Sequence, residues 1–77
     1  MPRYFFDIRD GSGHHPDSVG IEFEDMDAAI AEARRALAEM AHETLGTDSA
    51  APLEIIIRDG ADGPVRLAIS IITERPT

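Results

Sequence analysis

The chain has no cysteine, no tryptophan and no lysine, and none of its apolar runs is long. Without cysteine, neither a disulfide framework nor a thiolate metal site can be built. No segment approaches the roughly 18 apolar residues that span a bilayer, and Met1-Pro2-Arg3-Tyr4 lacks the apolar core of a secretory signal. A soluble cytoplasmic protein with no membrane contact is therefore expected. Positive charge is scarce as well. Seven basic residues, all arginine, stand against 15 acidic ones, for a net charge of −8. That balance repels the phosphate backbone and anionic membranes, so generic nucleic-acid binding is disfavoured. The arginine-only usage reads first as a habit of genomic base composition, and it also suits bidentate pairing with carboxylates.

At 77 residues the chain is expected to form one domain, residues 1–77. A domain of this size buries only about 60% of the surface its unfolded chain exposes. Self-association is a natural way to hide more apolar surface.

Tyr4 to Arg9 alternates, with Tyr4, Phe6 and Ile8 on one side and Phe5, Asp7 and Arg9 on the other, the period of a strand. Asp10 to Val19, with its turn-forming residues and Pro16, reads as a loop leading to a short strand from Gly20 to Glu24. In that short strand Ile21 and Phe23 share a face, and the two strands pair as a hairpin. In DMDAAIAEARRALAEMAHETLG, Met26, Ala29, Ile30, Ala33, Leu37, Met40, Ala41, Thr44 and Leu45 recur at three- and four-residue steps. This is an amphipathic helix of about twenty residues. Asp25 is placed to cap it, Asp27 complements the dipole of its first turn, and Gly46 is placed to end it in a left-handed conformation. After a polar linker, Thr47 to Pro52, a second hairpin runs from Leu53 to Arg58 and from Val65 to Thr73 around an Asp- and Gly-rich turn. Glu74 to Thr77 reads as a frayed tail. The fold class is α+β in the order β-β-α-β-β. An antiparallel or mixed sheet of three to four strands carries one long helix on one face.

Ile-Arg-Asp-Gly occurs twice, in FFDIRDGSG and in EIIIRDGADG. Both copies end the first strand of a hairpin, where Gly tolerates a positive φ and Asp can bond the backbone two residues on. A phosphate-cradling loop needs a helix opening directly behind its glycines, and neither copy has one. Asp59 and Asp62 lack the twelve-residue calcium-loop pattern with its terminal bidentate Glu.

Other candidates for chemistry are sparse. His14 and His15, with Asp10 and Asp17 nearby, allow a metal site to be drawn, but adjacent His side chains diverge and the ligand spacing is wrong. His42 falls at the edge of the helix face. No triad order or nucleophile elbow is visible. No catalytic residue, metal ligand or cofactor is assigned, and no enzymatic activity is expected.

The sheet face away from the helix is the expected working surface. It presents Arg3, Phe5, Asp7 and Arg9, then Glu54, Ile56 and Arg58, then Arg66, Ala68, Ser70 and Ile72. Phe5, Ile56, Ala68 and Ile72 make an apolar patch bordered by Arg9, Arg58 and Arg66, the anatomy of a protein interface. One aromatic in an acidic chain is a poor platform for stacking RNA bases.

MPRYFFDIRDG, then GIEFEDMDAAIAEARRALAEMA, then LEIIIRDGADGPVRLAISI, together resemble a family of small bacterial proteins, frequent in proteobacteria, known as a domain of unknown function. The Arg-Tyr-Phe-Phe opening, the step Asp17-x-x-Gly20-x-Glu22 and the helix start Asp-x-x-x-Ala carry the resemblance. Members often have His where Asp7 stands. The resemblance implies no activity, cofactor or functional residue. The strand-then-helix opening is also loosely similar to the antitoxin half of toxin and antitoxin pairs, although no DNA-binding extension is recognisable. The expected function is a protein-interaction or regulatory module that homodimerises through the open sheet face. An antitoxin-like or nucleic-acid-associated regulator is the alternative, and a loop-borne metal or small-ligand site is the third.

Overall fold

The computed structural model describes residues 1–47, 51–60 and 63–76. The turn position Asp62, weighed as a calcium ligand, the centre of the Thr47–Pro52 linker and Thr77 lie outside the described residues. Alternating aromatic and β-branched residues form β1 (Arg3–Asp10), with Tyr4 buried and Phe6 and Ile8 packed on the core. The turn after it is fixed locally. Asp10 accepts from the Ser12 amide at 2.8 Å and from its hydroxyl at 2.6 Å, and the positive φ falls on Gly13, at 124°, rather than on Gly11.

The chain then returns as β2 (Gly13–His15), antiparallel to the end of β1, inside the stretch the sequence pattern reads as a loop. Every residue of β2 is exposed, so no apolar alternation announces it. β3 (Ile21–Glu22) pairs antiparallel with the start of β1, and the Phe23 amide extends that pairing by donating to the Pro2 carbonyl at 3.1 Å. Phe23 reaches the core, meeting Phe6 edge-on at 5.9 Å between ring centres. Ile21, expected to share that face, stays 52% exposed at the rim.

α1 (Met26–Leu45) begins where the Asp25 carboxylate accepts from the Ala28 amide at 2.9 Å. Ala29, Ala33 and Leu37 are its buried stripe, and the two alanines let the helix lie close against the sheet. Met26, Ile30, Met40 and Ala41 flank that stripe, while Leu45 is exposed. Glu32, Arg35 and Glu39 form ion pairs along the outer face. The helix end differs from expectation. Gly46 is not left-handed; its φ and ψ are −82° and 1°. Its amide donates to the Glu43 carbonyl at 3.1 Å, and both the amide and the hydroxyl of Thr47 donate to the Thr44 carbonyl. A tightened last turn thus satisfies the carbonyls without a positive φ.

β4 (Leu53–Arg58) buries Leu53, Ile55 and Ile57 under the helix, and β5 (Val65–Ile69) pairs along it. All pairings are antiparallel in the order β2-β1-β4-β5, with β3 sharing the β1 edge with β2. Among the described residues the sheet therefore has five strands rather than three or four. β5 is shorter than its apolar pattern, which runs to Thr73. Its last pair is Ile69 with Leu53, the first residue of β4. Ile72 consequently lies past the end of the sheet, 78% exposed, and is not part of the open face as expected. Among the described residues no helix is long and apolar enough to cross a membrane.

Candidate functional site

Strand alternation turns Phe5, Asp7 and Arg9 of β1, Glu54, Ile56 and Arg58 of β4, and Arg66 and Ala68 of β5 away from the helix. Register then decides who meets whom. Phe5 lies opposite Arg58, Asp7 opposite Ile56, and Arg9 opposite Glu54, while on the other side of β4 Glu54 faces Ala68 and Ile56 faces Arg66.

Arg58 crosses diagonally to Asp7 and binds it with two parallel contacts, Nε to Oδ2 at 2.6 Å and Nη2 to Oδ1 at 3.1 Å. Nη2 also donates to the Asp17 carbonyl at 3.0 Å, and the guanidinium carbon sits 5.2 Å above the Phe5 ring. Asp7 takes a further donor, the Asp17 amide, at 2.9 Å, and is nearly fully buried. The Arg58 hydrogen bond holds the Asp7 carboxyl below the ordinary range, with burial opposing it and the Asp17 amide assisting. The same bond raises the Arg58 pKa.

Asp17 works as a substitute strand. On the edge of β1 away from β4, no described strand pairs with the stretch between β2 and β3, and there the Asp17 carboxylate accepts the Phe6 amide at 3.1 Å. Its other oxygen accepts the Val19 and Gly20 amides at 2.9 and 3.1 Å. The Phe6 amide is the leading cause of its lowered pKa. Gly20, with φ at 75°, lies so close to β1 that a Cβ would come within 3.0 Å of Phe5 and the Tyr4 carbonyl. Glu22 pairs with Arg3 at 3.7 Å. The step Asp17-x-x-Gly20-x-Glu22 is thus a device for closing the β1 edge.

The second half of the face is looser. Glu54, also buried, lies between Arg9 at 3.7 Å and Arg66 at 2.8 Å. Arg58 pairs with Asp7 while Arg9 and Arg66 share Glu54, and with Asp17, Asp59 and the Arg3–Glu22 pair close by the face is near electrical balance in a chain of net charge −8. An open groove of about 510 Å³ runs beside it, lined by Asp7, Arg9, His14, Ile56, Arg58 and Pro64 among others.

Of the residues expected on this surface, Phe5, Arg9, Ile56, Arg58, Arg66 and Ala68 are brought together, and Ile72 is not. The apolar patch is broken by arginine: Phe5 lies under Arg58, and Phe5 and Ile56 are half-buried. The binding of Asp7 by Arg58 and the role of Asp17 are not legible in the sequence, because both depend on which residues stand across the register. The short spacing from Asp17 to Gly20 is the local signal that was available.

His14 and His15 diverge. His14 borders the groove, whereas the His15 Nε2 lies 2.9 Å from the Ser12 hydroxyl and 3.3 Å from Asp10. With Asp17 engaged by backbone amides, the four do not converge, and among the described residues no group of three or more His, Asp or Glu is placed to hold a metal ion.

Neither a curated protein nor a solved structure matches the chain. Residues 3–71, from the first residue of β1 to just beyond β5, match the family described as a domain of unknown function, DUF6894. The span takes in β1, the Asp17 edge closure, the helix and both strands of the second hairpin, and the chain belongs to that family.

Proposed function

We propose that the chain is a protein-interaction domain that associates with itself through the uncovered sheet face. The observation that carries this reading is the charge balance of that face. Two copies of a strongly acidic chain repel one another, and the repulsion is weakest where each copy has neutralised its own charges. Phe5 beneath a fixed guanidinium, half-buried Ile56 and exposed Ala68 supply the apolar and arginine-rich surface typical of contact patches. Because Arg9, Arg58 and Arg66 each pair with a carboxylate, the face suits a protein better than a phosphate backbone.

Light scattering tests the reading. The purified protein is expected to be heavier than one chain, and Phe5→Asp or Ile56→Arg is expected to halve its mass while the circular dichroism of the helix persists. A folded variant of unchanged mass would overturn it.

A further inference from the structure

Among the described residues β5 forms one margin of the sheet, and the chain beyond it keeps strand-like composition with no described strand beside it. Ser70-Ile71-Ile72-Thr73 follows Ile69 directly, yet β4 has ended, and Ile72 is left 78% exposed. Beside this margin, on the helix side, an apolar groove of about 350 Å³ lies between α1 and β5, lined by Leu37, Leu67 and Ile69 with Arg34 and Ala38. A margin of unpaired backbone next to apolar side chains invites a further strand.

The sequence indicates which strand. Val65 to Arg75 is bounded by Pro64 and Pro76, and its midpoint is Ser70. Reversed and laid against itself about Ser70, the segment matches its own chemistry. Arg66 meets Glu74 of the other copy, Ala68 meets Ile72, Ile69 meets Ile71, and the prolines coincide at the two ends, where the ladder must stop. Alternation puts Arg66, Glu74, Ala68 and Ile72 on the open face and the Ile69–Ile71 pairs beside the apolar groove.

We infer that a second copy of this chain pairs antiparallel along the β5 margin, centred on Ser70. The two sheets become one, both helices lie on the same side, and the open faces merge. The two-fold axis of this pair is perpendicular to the sheet. A face-to-face contact has its axis in the sheet plane, so the two seams together close at four copies, and either alone closes at two.

The absence of cysteine makes the test clean. In Ser70→Cys the new thiol faces its own counterpart across the axis, within reach of a disulfide. In Thr73→Cys the new thiol faces Leu67 instead. Under mild oxidation Ser70→Cys is expected to convert to a covalent two-copy species and Thr73→Cys to remain single. Ser70→Pro, which removes a ladder amide, is expected to halve the mass seen by light scattering. Repeating the oxidation in the Phe5→Asp background separates the seams. Cross-linking that persists there supports the β5 margin whatever becomes of the face contact. Failure of Ser70→Cys to cross-link, or equal cross-linking at both positions, would overturn the inference and give the margin to another occupant or to none.

Discussion

The two copies of Ile-Arg-Asp-Gly end their strands alike but do different work. They lie antiparallel at the centre of the sheet, with Asp7 directly across from Ile56, its counterpart in the second copy. A local two-fold between β1 and β4 relates them. In the second copy Ile57 is fully buried, and Arg58 is gripped by Asp7, the Asp17 carbonyl and the Phe5 ring. In the first copy Ile8 is half-buried, and Arg9 rests 3.7 Å from Glu54 with more than half its side chain in water. Both tetrapeptides end a strand, although the positive φ falls on Gly60 in the second copy and not on Gly11 in the first, and the residues across the register decide whether an arginine is locked or loose.

Mutations can widen or erase this difference. The largest effect is expected at the isoleucines. Ile57→Ala should destabilise by about 3–4 kcal/mol and Ile8→Ala by about 1–2 kcal/mol in urea denaturation, since only the former leaves a closed cavity. Equal losses would mean the two copies are buried alike. Asp17→Ala follows, at about 2 kcal/mol, because three backbone amides lose their acceptor at once and water can replace it only in part.

Acid should act through the same groups. Asp7 and Asp17 have folded pKa values below their unfolded ones, so their stabilisation is complete above the ordinary carboxylate pKa. It is lost as pH falls through the lowered folded values. Stability measured downward from about pH 5 should therefore decline, and more gently in Asp17→Ala. A variant as acid-sensitive as the parent would exonerate that carboxylate. The smallest effects separate the arginines. Arg58→Ala should raise the Asp7 pKa in an NMR titration, whereas Arg9→Ala should leave that pKa in place and cost less than about 0.5 kcal/mol.

Much of the frame is legible in the chain because it is written in local periods. Asp25 before Ala29-x-x-x-Ala33-x-x-x-Leu37 marks the start and buried stripe of the helix, and Leu53 to Arg58 has the composition of a covered strand. The illegible parts depend on partners distant in sequence. β2 has no apolar signature because both its sides are wet. The pattern after Ile69 promises more strand than β5 delivers, because its neighbour β4 begins only at Leu53, opposite Ile69. Gly46 could serve a left-handed helix end, yet Thr47 supplies enough donors to make one unnecessary. On the open face the residue types were readable, but a diagonal grip such as Arg58 on Asp7 requires knowing that residues 51 positions apart share a register.

The carboxylate of Asp17 takes the Phe6 amide that a neighbouring strand would otherwise take, so the middle of β1 offers a newcomer no free donor there. On that flank the described sheet ends in only the three residues of β2, too short to template a long strand, so strand addition is favoured along β5. A particle with one long margin and one blunted one finds a mate and stops, whereas one with two long margins would keep recruiting and lengthen into a fibre.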